Sequence, residues 1–200
     1  IIALRSQGAY RTFAAAVGEG QQAFGSMYKR LIANMRRSHV KRMEVNAFHG
    51  GRSIGTVESV VDGGSGVMDI VLTEETWAPW IWAGSKNLKL DSYLTSGPTQ
   101  RNGTTAIKVA SVDMATRTLS VTGTEADLDA TVAGDELFYR GSFQNESPGL
   151  ILAVSADEDE YYGIDGADFE LWTGNTFDAD SGNLTWDVIQ SATDDAMSKG

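Results

Sequence analysis

The sequence predicts an α+β protein, and three observations support this prediction. A long helical pattern covers residues 22–48, six short runs rich in Val, Ile, Thr and Leu follow over residues 56–139, and a second helical pattern begins at Thr185. Helices and strands that are segregated along the chain, rather than alternating, are typical of the α+β class. We therefore expect a long helix, then a compact β barrel or sandwich, then a third region.

The first helix is predicted from about Gln22 to Phe48. Apolar residues recur there at intervals that return to one face: Phe24, Met27, Tyr28, Leu31, Met35, Val40, Met43 and Ala47. Gly50-Gly51 is expected to end the helix, because glycine readily adopts the left-handed conformation that follows a helix. The opposite face carries six cations, with Glu44 the only nearby acid: Lys29, Arg30, Arg36, Arg37, Lys41 and Arg42. Such a face is usually only solvated. Nucleic-acid binding is the sharper alternative, but neither a binding motif nor interleaved aromatic residues accompany the cations.

The second zone is predicted to be β. The six strand candidates are Thr56–Val61, Val67–Thr73, Leu88–Leu94, Ala106–Val112, Thr116–Thr122 and Glu136–Tyr139. Turn chemistry separates them: residues 63–66 are rich in glycine, Asn102-Gly103 is a tight-turn signal, and residues 113–116 are polar. Polar and apolar residues alternate over residues 118–121, which indicates one buried and one wet face.

Three tryptophans, Trp77, Trp80 and Trp82, surround Pro79. Aromatic clusters on β modules can stack on sugar rings, so a carbohydrate-binding surface is one hypothesis. The rings alternate with apolar residues, however, as in a loop that plugs the end of a small barrel core. We favour the core interpretation.

The third zone begins with Leu150–Val154, which is apolar and predicted to be a strand. The acidic residues 157–160 indicate an exposed turn. Thr185 can cap a helix that runs over Trp186, Ile189, Ala192 and Met197. The pair Asp194-Asp195 lies near the negative pole of that helix, so we expect neighbouring chain or a partner to compensate its charge.

Charge divides the chain in two. The net charge is −11, but residues 1–124 carry a net +5 and residues 125–200 a net −16. A chain with one basic and one acidic part can attract copies of itself head to tail. There is no cysteine, which is typical of a protein that matures in a reducing cytoplasm, and no apolar run long enough to span a membrane.

Catalytic and metal-binding motifs are weak. Residues 51–55 match the Gly-x-Ser-x-Gly pattern, but this elbow requires a strand before it and a helix after it, and the predicted order is reversed. His39 and His49 lie ten residues apart and do not share a helix face. The acidic residues 178–183 resemble a calcium loop but lack its glycine and its bidentate glutamate. We therefore expect no enzyme activity, no cofactor and no metal site.

A set of short segments resembles tailed-bacteriophage major capsid proteins of the Hong Kong 97 type, in order and spacing, over about Gln22 to Ala196. The segments are Phe48–Gly51, Ile54–Val60, Thr76–Pro79, Ile81–Gly84, Val112-Asp113, Arg117–Leu119, Gly134–Leu150, Gly163–Asp165 and Leu171–Thr176. The resemblance implies a spine helix in residues 1–50, an inserted small antiparallel β barrel in 51–142, and the start of a second α/β domain in 143–200. It also implies that the sequence is part of a longer subunit.

The function implied by this resemblance is structural. A capsid subunit self-assembles into pentamers and hexamers of an icosahedral shell, which is built in the bacterial cytoplasm and encloses double-stranded DNA. Its partners would be other copies of itself, scaffolding or decoration proteins, and packaged DNA without sequence specificity; no membrane is involved. Closed shells need interfaces in which different faces of the subunit meet. We expect Arg36, Arg37, Lys41 and Arg42 to contribute one such face. A carbohydrate-binding or head-decoration module that uses the three tryptophans is the alternative function.

Overall fold

A computed structural model of the protein describes residues 21–95, 97–103, 105–154, 161–164, 168, 177 and 183–199. The chain divides into two compact units between Ala47 and Phe48. Some predictions concern segments outside the described residues. These segments are residues 1–20 of the predicted N-terminal segment, the acidic turn at residues 157–160 and most of the calcium-like loop at residues 178–183.

The described part of the chain contains five helices and six strands. The helices are α1 (Gln21–His49), α2 (Pro79–Trp82), α3 (Glu125–Asp129), α4 (Leu150–Val154) and α5 (Trp186–Lys199). The strands are β1 (Gly55–Gly64), β2 (Val67–Leu72), β3 (Lys89–Tyr93), β4 (Ile107–Asp113), β5 (Thr118–Thr122) and β6 (Glu136–Tyr139). This confirms the α+β class, the long helix and all six predicted strands.

The six strands form a closed antiparallel barrel in the order β1-β2-β5-β4-β3-β6. The ring closes where Gly55 and Thr56 of β1 pair with Leu137 and Glu136 of β6. Closure leaves no sheet edge available for uncontrolled pairing. Side chains alternate along β5 as the sequence predicts, with Leu119 and Val121 fully buried.

Two of the predicted turns form as expected. Between β1 and β2, Ser65 and Gly66 both have positive φ, and Asp62 accepts a hydrogen bond from the amide of Gly64 at 2.7 Å. Between β4 and β5, the Asp113 carboxylate accepts hydrogen bonds from the amides of Ala115 and Thr116, and these bonds lower the pKa of Asp113. The turn delays the start of β5 to Thr118, two residues after the predicted start.

The predicted tight turn at Asn102-Gly103 forms as a three-residue turn, in which the amide of Gly103 donates a hydrogen bond to the carbonyl of Arg101 at 3.0 Å, but it lacks the expected positive φ angles. Neither residue has a positive φ, and Asn102 is fully buried. Its side-chain oxygen accepts a hydrogen bond from the amide of Ser92 at 2.9 Å, and its Nδ2 donates to the carbonyl of Thr105 at 2.9 Å. Asn102 is therefore a buried anchor that holds the long β3–β4 connection against the barrel, a role that the local turn signal does not show.

The predicted strand at Leu150–Val154 is wrong, since these residues form α4. A five-residue apolar run has no periodicity that separates a strand from a helix turn. The carbonyl of Gly149 accepts the first hydrogen bond of this helix, from the amide of Ala153, at 3.1 Å.

Candidate functional site

The structure separates the four cations that the sequence grouped on one face. Arg36 and Arg37 are exposed, whereas Lys41 and Arg42 are half-buried. Burial lowers the pKa of Lys41, because desolvation disfavours its charged form. At about 100° per residue the four side chains also point around most of the helix circumference. One flat partner surface cannot engage all four, and the accessible members are Arg36 and Arg37.

The exposed side of α1 mixes apolar and basic residues, so the predicted separation into an apolar and a basic face is wrong. We define the α1 stripe as six exposed residues spaced three or four apart: Tyr28, Ile32, Arg36, Val40, Met43 and Ala47. Its large apolar members, Tyr28, Ile32, Val40 and Met43, are between 47% and 53% exposed. The predicted apolar face included Tyr28, Val40 and Met43 but not Ile32. It also omitted Val45, which is buried. Spacing located the periodicity but could not show which side of the helix is covered.

Helix α5 has the predicted cap and leaves its apolar residues uncovered. The Thr185 hydroxyl accepts a hydrogen bond from the amide of Val188 at 3.4 Å, at the third helical position as in an N-cap. Trp186 is 75% exposed and Met197 is 74% exposed, with Ile189 partly exposed on the same side. Asp187 and Asp194 lie beside them, and both are exposed. Helix α5 is therefore an acidic counterpart of the basic α1.

The barrel begins and ends at one corner, next to the last turn of α1. Gly51 ends the helix with φ +80°, as predicted, and the amide of Gly149 donates a hydrogen bond to the carbonyl of Gly50 at 2.7 Å. A Cβ on Gly149 would lie 2.6 Å from the Gly50 nitrogen and 2.7 Å from the Phe48 oxygen. Only glycine allows this approach of two backbone segments. The chain from residue 51 to residue 148 thus leaves and returns at almost the same point.

The tryptophans occupy three different environments. Trp82 is 0% exposed in the barrel core, Trp77 is half-buried and stacks on it with the ring planes 4° apart, and Trp80 is 42% exposed. The segment forms the short helix α2 rather than a loop, because Pro79 fits the first helical position and holds Ala78 extended. A sugar platform that uses all three rings is incompatible with this arrangement, since Trp82 has no accessible surface.

Trp80 instead belongs to an exposed aromatic group at the corner. Its ring lies 6.0 Å from the ring of Phe48, edge to face, and 6.0 Å from that of His49. Burial lowers the pKa of His49, and a hydrogen bond to the backbone of Ser53 opposes this shift. The Gly-x-Ser-x-Gly residues lie between a helix and a strand, in the order opposite to a nucleophile elbow, as predicted.

Two further findings concern the described residues alone. They include no group of three or more His, Asp or Glu side chains arranged to hold a metal ion. None of their helices combines the length with the apolar character that crossing a bilayer requires.

Comparison of the chain with protein-family models, with curated proteins and with solved structures returns no significant match.

Proposed function

We propose that this protein is a self-assembling structural subunit, a major capsid protein of the Hong Kong 97 type from a tailed bacteriophage. Its copies would form the pentamers and hexamers of an icosahedral virion shell around double-stranded DNA. The role would be structural rather than catalytic and would require no cofactor. Scaffolding or decoration proteins would be its other partners.

The observation that carries this proposal is the corner at Gly50 and Gly149. The chain enters the barrel after Gly50 and returns from it at Gly149, and the amide of Gly149 donates a hydrogen bond to the carbonyl of Gly50 at 2.7 Å. A barrel whose two ends meet in this way has the connectivity of an inserted module. Insertion of a β module between a spine helix and a second domain is what the resemblance to the capsid family implies. The short segments that carry the resemblance include both sides of this corner, Phe48–Gly51 and the end of Gly134–Leu150.

The exposed helix surfaces give independent support for self-association. Large apolar side chains are exposed to water on α1 and on α5. Covering them with a partner surface would lower the free energy of the protein, so exposed apolar patches of this kind often mark interaction sites. The two helices carry charge of opposite sign, with six cations against one acid in α1 and three acids against one lysine in α5. Complementary charge favours specific docking of unlike faces.

The direct test is the particle size of the full-length protein. Light scattering and electron microscopy should show rings or closed polyhedral shells. Dispersed monomers under conditions that favour shells would refute the proposal.

A charge reversal tests the role of the predicted basic surface. The double substitution Arg36→Glu with Arg37→Glu should block assembly and leave the fold intact, because both side chains are exposed. The matched control is Lys86→Glu with Lys108→Glu, which makes the same change of net charge at exposed positions outside α1. Normal shells from the first variant, or equal loss in both variants, would contradict a specific role for this surface.

Carbohydrate binding remains a second candidate because Trp80 is partly exposed next to Phe48. A Trp80→Ala variant that lost binding to a glycan array would support it. Equal binding by the variant and the unaltered protein would argue against it.

A further inference from the structure

We infer that α5 of one copy docks lengthwise on the α1 stripe of a second copy. This inference rests on the self-assembly proposed above and names the two surfaces that meet. The occupant of the α1 stripe is thus a second copy of the same chain, through its acidic C-terminal helix.

The two surfaces match in apolar character and in length. Helix α5 has 14 residues, which corresponds to about 21 Å, and the α1 stripe extends over about 28 Å. Trp186, Ile189 and Met197 lie on one side of α5, so in a parallel arrangement they can cover Tyr28, Ile32 and Val40 of the partner. All six are large and exposed, and burying them together removes apolar area from water on both helices.

The charges repeat with the same period on the two helices. Lys29 and Arg36 are seven residues apart on the side of α1 that carries the stripe, and Asp187 and Asp194 are seven residues apart beside the apolar residues of α5. Seven residues are two helical turns, or about 10.5 Å. Two ion pairs can therefore form at once when the helices lie side by side. All four charged side chains are exposed, and none of them forms an ion pair with a residue that the structure describes.

Asp194 has an additional reason to accept a cation. Residues three and four positions away on a helix lie beside one another, and in α5 these neighbours of Asp194 are Gln190, Ser191, Met197 and Ser198, none of which carries a positive charge. A lysine or arginine of the partner's α1 can therefore pair with this carboxylate. Helix α5 itself carries only Lys199 as a cation.

An interface of this kind joins unlike faces and has a specific consequence. Every copy carries one α1 stripe and one α5, so each copy can bind two neighbours and continue into a ring. If α1 met α1, or α5 met α5, the interface would be symmetric and would stop at a pair.

Mixing two charge-reversed variants tests this arrangement. Variant one carries Lys29→Glu with Arg36→Glu, and variant two carries Asp187→Lys with Asp194→Lys. Each alone brings like charges together, so sedimentation should show self-association weakened by at least about tenfold. In an equal mixture, the acidic α1 of variant one meets the basic α5 of variant two, and the two unaltered surfaces also meet. Association should then recover, with the two variants in equal amounts in each complex.

Two controls keep the test specific. Lys86→Glu with Lys108→Glu changes the same net charge at exposed positions outside α1 and should leave association unchanged. Asp194→Lys alone should weaken association without loss of helix content by circular dichroism, because lysine has a higher helix propensity than aspartate. High salt should reduce the differences between all variants.

The outcomes separate this inference from the proposed function. If the unaltered full-length protein stays monomeric, self-assembly is refuted and the inference with it. If the unaltered protein assembles but the mixture fails to recover, or variant two assembles normally alone, the pairing of α1 with α5 is wrong and self-assembly stands.

Discussion

The barrel and the two long helices, α1 and α5, differ in how far their apolar residues are buried. In the barrel, the inward side chains of every strand are buried, and the core includes Ile70, Leu90 and Leu137 at 0% exposure. In α1 and α5, residues of the same chemical type, such as Met43 and Trp186, are half or more exposed. The barrel thus completes its own core, whereas the helices carry surfaces that one chain leaves uncovered. Substitutions in the barrel should change folding, and substitutions on the helices should change association.

Alanine substitution of two tryptophans, one from each region, should give the greatest difference in the free energy of unfolding. Trp82→Ala should destabilise the barrel by about 3–5 kcal/mol, because it empties a fully buried site in the core. Trp186→Ala should leave the free energy of unfolding almost unchanged and should weaken self-association. Chemical denaturation measures the first effect and sedimentation the second. Equal loss of stability in both variants would mean that Trp186 is packed within its own subunit, as Trp82 is.

The second expected effect concerns the corner that joins the barrel to the end of α1. Gly149→Ala places a methyl group 2.6 Å from the Gly50 nitrogen, so the two backbone segments must separate. We expect a loss of about 1–3 kcal/mol, as for other overpacked sites, and faster hydrogen exchange at the amide of residue 149. Gly97→Ala is the matched control, since nothing lies within 4 Å of its added Cβ. If the two variants are equally stable, the segments do not pass as closely as described.

The sequence was sufficient for features that depend on local chemistry. The glycines after residue 49 predicted the end of α1, and the Thr185 cap predicted the start of α5. Turn residues between apolar runs predicted all six strands. These features depend on a few adjacent residues, so no distant contact was needed to predict them.

Features that depend on contacts between distant segments were missed. The anchoring role of Asn102 was missed because its partner, the amide of Ser92, lies ten positions away. Leu150–Val154 was predicted as a strand because a five-residue apolar run has no periodicity that separates a strand from a helix. For the candidate site, the pattern of cations predicted a basic helix but not that Lys41 and Arg42 are half-buried. It also could not show that Ile32 is exposed beside Arg36, which is one reason why we infer docking at the α1 stripe.

The smallest expected effect is a pH dependence within the barrel. Burial raises the pKa of Glu136, on β6, and the nearby Arg52 partly opposes this shift. A carboxyl group with a raised pKa in the folded state favours folding in its protonated form. Its contribution is therefore fully present below the ordinary glutamate pKa, and it is lost as pH rises through the higher pKa of the folded protein. Glu136→Gln should thus raise stability at neutral pH, by less than about 1 kcal/mol because the site is only half-buried, and should have little effect in acid. Denaturation curves at a series of pH values measure this difference, with Glu75→Gln as the exposed control. A stabilisation by Glu136→Gln that is the same at every pH would show that folding does not shift the pKa of this carboxyl group. A loss of stability at neutral pH would show that the attraction of Arg52 outweighs burial.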